Sequence, residues 1–166
     1  MTPNKEDYLK CIYEIGTDMQ KITNKEIAAR MQVSPPAVTE MIKRMKSENL
    51  LLKDKENGYL LTDIGLKLVS ELYRKHRLIE VFLVHHLDYT SDQIHEEAEV
   101  LEHTVSDLFV KRLDKLLGFP QTCPHGGTIP AEGELLVEIN NLPLAAVQEA
   151  GTYLLTRVHD SFELLK

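Results

Sequence analysis

Thr23-Asn24-Lys25-Glu26-Ile27-Ala28-Ala29-Arg30-Met31-Gln32-Val33-Ser34-Pro35-Pro36-Ala37-Val38-Thr39-Glu40-Met41-Ile42 holds two helix starts separated by one short break. Thr23, followed three residues later by Glu26, reads as a capping box in which hydroxyl and carboxylate satisfy each other's backbone donors. The helix it opens, residues 25–31, turns Ile27, Ala28 and Met31 inward. Gln32-Val33 breaks it. Ser34-Pro35 starts the next helix, because serine caps and proline suits the first helical position. That helix, residues 36–48, buries Val38, Met41, Ile42 and Met45. It exposes Ala37, Thr39, Glu40, Lys43 and Lys46, with Arg44 at the boundary. Two short helices on a tight turn, the second small at its start and basic further on, read as a helix-turn-helix.

The flanks extend that reading. Upstream, Tyr8, Leu9, Ile12 and Ile15 recur at helical spacing over residues 6–17. Downstream, residues 50–54 and 59–62 read as strands around Lys55-Glu56-Asn57-Gly58, and Asn-Gly is a strong hairpin signal. A helix-turn-helix followed directly by a hairpin is a winged helix; an ordinary small α+β domain is the alternative. In the winged-helix reading Lys43, Arg44 and Lys46, with Lys53 and Lys55 on the wing, meet phosphates. Ser34, Pro36, Ala37, Thr39 and Glu40 lie where base edges are read.

The net charge of −7 argues at first against a nucleic-acid partner, but it is unevenly spread. Residues 1–62 carry 10 Lys and Arg against 9 Asp and Glu, whereas residues 63–166 carry 9 against 17. The acidity belongs to the second part, which leaves the first free to approach phosphate. The N-terminus has the acidic pair Glu6-Asp7 where a signal peptide needs an apolar core, and no run of about 18 apolar residues exists to span a membrane. The chain is expected in the cytoplasm, with no bridge between Cys11 and Cys123.

From Asp63 the pattern turns helical again to about His86, then Ser91 is placed to cap a helix that runs through His95–His103 and on past Val105, Leu108 and Leu113. At about 100° per residue, His95, Glu99, Glu102 and His103 share one stripe, opposite Ile94, Ala98, Leu101 and Val105. His76 and Glu80 sit one turn apart on the earlier helix. Imidazoles and carboxylates at this spacing on packed helices can build a divalent-metal site, and a solvated acidic face is the alternative. Cys123 and His125 bracket a proline in the compact loop 121–130, a soft pair for a metal. So much apolar surface on few helices suggests burial against a second copy. Residues 151–158 look like a strand, in a C-terminal stretch too short to close a core.

Together, Asp7 on the first helix, the winged helix, Lys75-His76-Arg77-Leu78 with Glu80, and the His-x-x-x-Glu-x-x-Glu-His run resemble the metal-dependent transcriptional repressors typified by the diphtheria toxin repressor. The loop Cys123-Pro124-His125-Gly126 is similar to that of the longer manganese-sensing members. The resemblance implies a mainly α chain: a winged-helix DNA-binding domain at 1–63, a helical dimerisation and metal-binding domain at 64–141, and at 142–166 the start of a truncated SH3-like domain. It implies two metal sites. Site one matches Asp7, Glu99, Glu102 and His103; site two matches Glu80, Cys123, His125 and Asp160. His76 and His95 match ancillary ligands of the iron-sensing branch and are the alternatives for site two. Iron-sensing members have methionine and cysteine where this chain has Asp7 and Glu99, and exchanging sulfur for oxygen favours a harder ion, here Mn2+. A shorter manganese-sensing type has a ligating glutamate at the position of Lys10, so its paired-metal cluster is not expected.

The function implied is a homodimeric, Mn2+-responsive repressor acting on a double-stranded DNA operator, without membrane or organic ligand. Fe2+ is the alternative activator, and Zn2+ or Cd2+ would fill the sites in vitro. A carboxylate-bundle metalloenzyme is a rival, but it wants two Glu-x-x-His motifs, and the residue three before His103 is Val100. A winged-helix regulator of an organic ligand is the other, and it should bind no Mn2+ tightly.

Overall fold

The computed structural model describes residues 4–18, 21–138 and 143–157. By its contacts the chain forms two units, residues 1–72 with 133–135 and residues 73–132 with 136–166. Among the described residues no helix is long and apolar enough to cross a membrane.

The first unit is built on α1 (Lys5–Thr17), α2 (Asn24–Met31), α3 (Pro35–Ser47) and the antiparallel pair β1 (Leu51–Asp54) and β2 (Gly58–Leu61). Asn4 caps α1 by accepting from the Glu6 and Asp7 amides, and the Asp7 carboxylate accepts the Asn4 N–H at 2.6 Å. This reciprocal box was readable in Asn4-x-x-Asp7. At Thr23 only half of the expected box forms: the hydroxyl accepts from the Glu26 N–H, while the Glu26 carboxylate lies 3.9 Å from Arg30 one turn on. Ser34 caps α3 through the Ala37 N–H. Leu9, Ile12, Ile15, Ile27, Val38 and Met45 close the core at 1% exposure or less. Cys11 is buried there, and burial pushes its thiol up to about 12, so it packs as a small apolar residue.

The wing turns differently from the expected Asn-Gly hairpin. Asp54 pairs with Gly58, leaving Lys55, Glu56 and Asn57 as a three-residue loop with Gly58 at φ +86°. The Asp54 carboxylate accepts from the Glu56 and Asn57 amides, which fixes the loop from inside. A Cβ on Gly58 would sit 2.0 Å from the Ile22 carbonyl oxygen, so geometry and space both require glycine.

The long helix α4 (Asp63–Leu87) begins in the first unit and continues into the second. The second unit adds α5 (Ile94–Glu102) and α6 (Asp107–Leu116), and Leu78, Ile79, Leu83, Ile94, Ala98, Val110, Leu113 and Ile129 pack its core. The single helix expected through His103 is therefore two. The amides of Thr104 and Val105 both return to the Leu101 carbonyl, which closes α5, and Ser106 caps α6 through Phe109. Ser91 caps nothing: α5 starts after a turn, with Gln93 at its N-cap and no side-chain bond. The expected strand at 151–158 does not pair over its described part, 151–157; residues 143–157 hold one 3-10 turn, Leu144–Ala146. Strand geometry needs a partner edge, and alternation alone supplies none. Val158 lies outside the described residues.

Candidate metal centre and nucleic-acid interface

The middle of α4 buries charge rather than hydrocarbon. Arg74, His76, Arg77 and Glu80 are all at most 3% exposed, on a helix packed by its neighbours on several sides. A buried ion needs partners, and Glu80 has imidazoles on three sides. His76 Nε2 lies 3.1 Å from Glu80 Oε1, His125 Nδ1 3.3 Å and His95 Nδ1 3.8 Å. Burial pushes the Glu80 carboxyl up; contacts with His125, His76 and His95 more than reverse this and hold it well below the usual carboxylate range. Its other oxygen, Oε2, is buried with no hydrogen-bond partner among the described residues. A buried carboxylate oxygen without a hydrogen-bond partner fits a group that takes a cation.

The loop brings the sulfur. Thr122 bridges to Thr128, the Cys123 N–H donates to Gly127 O, and the Gly126 N–H donates to Cys123 O, so residues 122–128 fold back tightly. Gly126 stands at φ +83°, and a Cβ there would meet the Thr156 carbonyl oxygen at 2.1 Å. This turn places Cys123 and His125, both buried, against Glu80. Two donor sets result, each with its ligand atoms within 4.8 Å of one another: Glu80 with Cys123 and His125, and Glu80 with His76 and His95. Site two and its alternative thus share one carboxylate. Thiolate, imidazole and carboxylate in one buried pocket fit a divalent transition metal. Asp160, the fourth residue expected at site two, lies outside the described residues.

Of the site-one residues, Glu99 and Glu102 are on α5 and His103 is its C-cap. They do not share one environment. The Glu99 side chain is 51% exposed, with Oε1 3.5 Å from His95 Nε2, whereas the Glu102 side chain is 1% exposed. Glu102 Oε2 meets His76 Nδ1 at 2.5 Å, and its Oε1 lies 3.4 Å from His103 Nε2. Asp7 belongs to the first unit, where its carboxylate holds the Asn4 amide. Lys10, one turn further on, is buried.

Sequence reasoning missed the frame around the loop. Arg77 is fully buried, donating to the Thr128 carbonyl and to Glu138, both at 2.5 Å, with its guanidinium 4.7 Å over the Tyr73 ring. Arg157 also grips Glu138, at 2.9 and 3.1 Å. The Lys75-His76-Arg77-Leu78 run was the available signal, but Glu138 is 61 residues from Arg77.

In the first unit, every residue expected at DNA is exposed: Ser34, Pro36, Ala37, Thr39, Glu40, Lys43, Arg44 and Lys46 on and before α3, and Lys53 and Lys55 on the wing. Two are already engaged. Thr39 accepts from Asn24 Nδ2 and donates to Pro35 O, which ties α3 to α2, and Arg44 Nε donates to Glu48 at 3.0 Å.

Comparison with known proteins matches two family models to the chain. The family model described as the iron dependent repressor N-terminal DNA binding domain matches residues 1–59, and that of its metal binding and dimerisation domain matches residues 62–131. Among solved structures, ScaR with bound Cd2+ superposes with a TM-score of 0.93 at 73% identity, over 98% of this chain and 76% of that one; its apo form is described as a manganese-activated repressor. The manganese regulator SloR gives 0.88 at 64% identity, over 99% and 77%. The iron-dependent repressor IdeR of Mycobacterium tuberculosis is 33% identical over 153 residues, covering 92% of this chain. This chain spans 65% of that relative's length.

Proposed function

The chain belongs to the iron-dependent repressor family typified by the diphtheria toxin repressor, and from that membership we propose that it is a manganese-responsive DNA-binding repressor of metal-homeostasis genes. It acts in the cytoplasm as a homodimer and is not an enzyme. The observation that supports the metal response is Glu80, which shares a buried donor set with Cys123 and His125 and whose Oε2 has no hydrogen-bond partner among the described residues. Two things favour manganese over the iron to which IdeR is named: the likeness to ScaR and SloR, and oxygen donors at Asp7 and Glu99. Fe2+ remains the second reading, carried by the iron-dependent relatives.

Residues 1–63 serve as the DNA-binding domain and 64–141 as the dimerisation and metal-binding domain. Asp7 stands in the first, and Glu99, Glu102 and His103 in the second. A divalent metal held by all four would put attraction in place of mutual carboxylate repulsion. Holding it in common would restrict how the DNA-binding domain is oriented. A protein whose competent orientation is only fractionally populated gains apparent affinity when that orientation is selected. On α3 and the wing, Lys43, Arg44, Lys46, Lys53 and Lys55 then meet phosphates, and the residues from Ser34 to Glu40 meet base edges.

The test is a DNA-binding titration of the full chain against duplexes selected from a randomised pool, with Mn2+, Fe2+, Zn2+ or none. Tight, selective binding only with Mn2+ or Fe2+ supports the proposal, and equal binding without metal overturns it. In the same assay Lys43→Ala or Lys46→Ala should weaken all sequences alike and flatten the salt dependence by roughly one unit of slope per lost phosphate contact. An unchanged slope in both would remove α3 from the groove.

Site two has its own signature. Cys123→Ser should lower the metal bound per subunit while sparing dimerisation, and Zn2+ or Cd2+ should occupy the wild-type site more tightly than Mn2+, because a thiolate is soft. Unaltered stoichiometry would return Cys123 to packing alone.

A further inference from the structure

We propose that His76 is not a metal ligand in this chain but a positioning residue that couples the two metal sites, with His95 as a weaker second link. The inference rests on the metal-responsive reading above and goes beyond it. One imidazole stands between a carboxylate from each ligand set: Nε2 is 3.1 Å from Glu80 Oε1, and Nδ1 is 2.5 Å from Glu102 Oε2. His95 repeats the arrangement with longer contacts, 3.8 Å to Glu80 and 3.5 Å to Glu99. The two rings meet edge-on with centroids 5.0 Å apart. Each histidine therefore joins Glu80 to one of the α5 carboxylates assigned to site one.

Burial makes this arrangement stiff. His76 and Glu80 are on adjacent turns of α4 and Glu102 is on the last turn of α5, all at most 2% exposed. An imidazole is flat with its two nitrogens pointing apart, and the neutral ring donates from only one of them, so its hold on one carboxylate depends on its contact with the other. A metal held with Cys123 and His125 would compete for Glu80 Oε1, which lies 3.3 Å from His125 Nδ1 and 3.1 Å from His76 Nε2, and so would weaken the contact with His76. The ring can then settle its Nδ1–H on Glu102. That fixes Glu102 Oε2 and leaves Oε1, already 3.4 Å from His103 Nε2, facing its fellow ligand. Outer hydrogen-bond partners that orient ligands in this way commonly change metal affinity by about 10–100-fold. Filling the thiolate site should thus favour site one, and linkage requires the converse to the same degree.

The experiment loads the thiolate site with Cd2+, followed by its sulfur-to-metal charge-transfer absorption, and then measures Mn2+ binding at site one by electron paramagnetic resonance. In wild type, Cd2+ should tighten the Mn2+ site about fivefold or more. In His76→Phe both ions should still bind, one at each site, with the coupling gone; His76→Gln, which keeps a donor, should restore part of it. His95→Phe should reduce the coupling less. Circular dichroism and the intact Cd2+ band check that the variants fold. If His76→Phe proves unfolded, independent binding in wild type still overturns the proposal. So does full coupling in a folded His76→Phe, and so does the loss of one bound metal there, which would make His76 a ligand. Failure of either ion to bind wild type at all would instead contradict the metal-responsive reading.

Discussion

Asp7→Ala should still bind Mn2+, though more weakly, and still dimerise, yet adding Mn2+ should hardly change its affinity for DNA. Glu99, Glu102 and His103 remain on and beside one helix, and an octahedral ion can complete its shell with water. What is lost is the ligand proposed in the first unit. Couplings of this kind usually amount to about 5–150-fold in affinity; the Asp7→Ala response to saturating Mn2+ should fall within about twofold of none. The substitution also removes the carboxylate that holds the Asn4 amide, one half of the capping box. Asp7→Asn separates the two roles, since its amide oxygen can still accept from Asn4 but is a poor anionic ligand. His103→Ala should give the same DNA defect through lost metal binding. A normal Mn2+ response in Asp7→Asn at saturating metal would show that this residue is not the switch.

The second large effect is expected at Arg77. Its guanidinium is fully buried and holds both the Thr128 carbonyl, at the end of the Cys-Pro-His turn, and the Glu138 carboxylate. Removing one partner of a buried ion pair leaves the other uncompensated and costs about 3–5 kcal/mol. Arg157 still grips Glu138, so Arg77→Leu should fall near the lower end of that range. It should lower the thermal midpoint and also weaken Cd2+ at Cys123 and His125, because Thr128 loses the donor that fixes the turn. Arg77→Leu combined with Glu138→Leu should recover part of the stability without restoring the loop contact. A single variant that melts like wild type would mean the pair contributes nothing net.

The elements with local start signals were legible in the sequence. Thr23, Ser34-Pro35 and the stretch around Asn57-Gly58 mark α2, α3 and the wing because caps and turns act over three or four residues. The end of α5 was hidden by apolar spacing that continues through Leu101, Val105 and Leu108, although Ser106-Asp107 carried an unread start signal. At the centre, residue types at Glu80, Cys123 and His125 pointed to a metal, and the fold brings them together. What could not be read was the sharing of Glu80 by two donor sets, or the meeting of His76 with Glu102. Those depend on how α4 faces α5 and the loop, and periodicity records only which face is apolar. Exposure of Glu99 beside burial of Glu102 has the same origin: one stripe on a helix need not meet one environment.

Coupling of metal and DNA binding should be visible from the metal side as well. Mn2+ affinity should be measured on the full chain with and without a saturating duplex selected for binding. Linkage requires the duplex to tighten Mn2+ by the same factor by which Mn2+ tightens the duplex, about 5–150-fold. Mn2+ affinity that is the same with and without the duplex would contradict it.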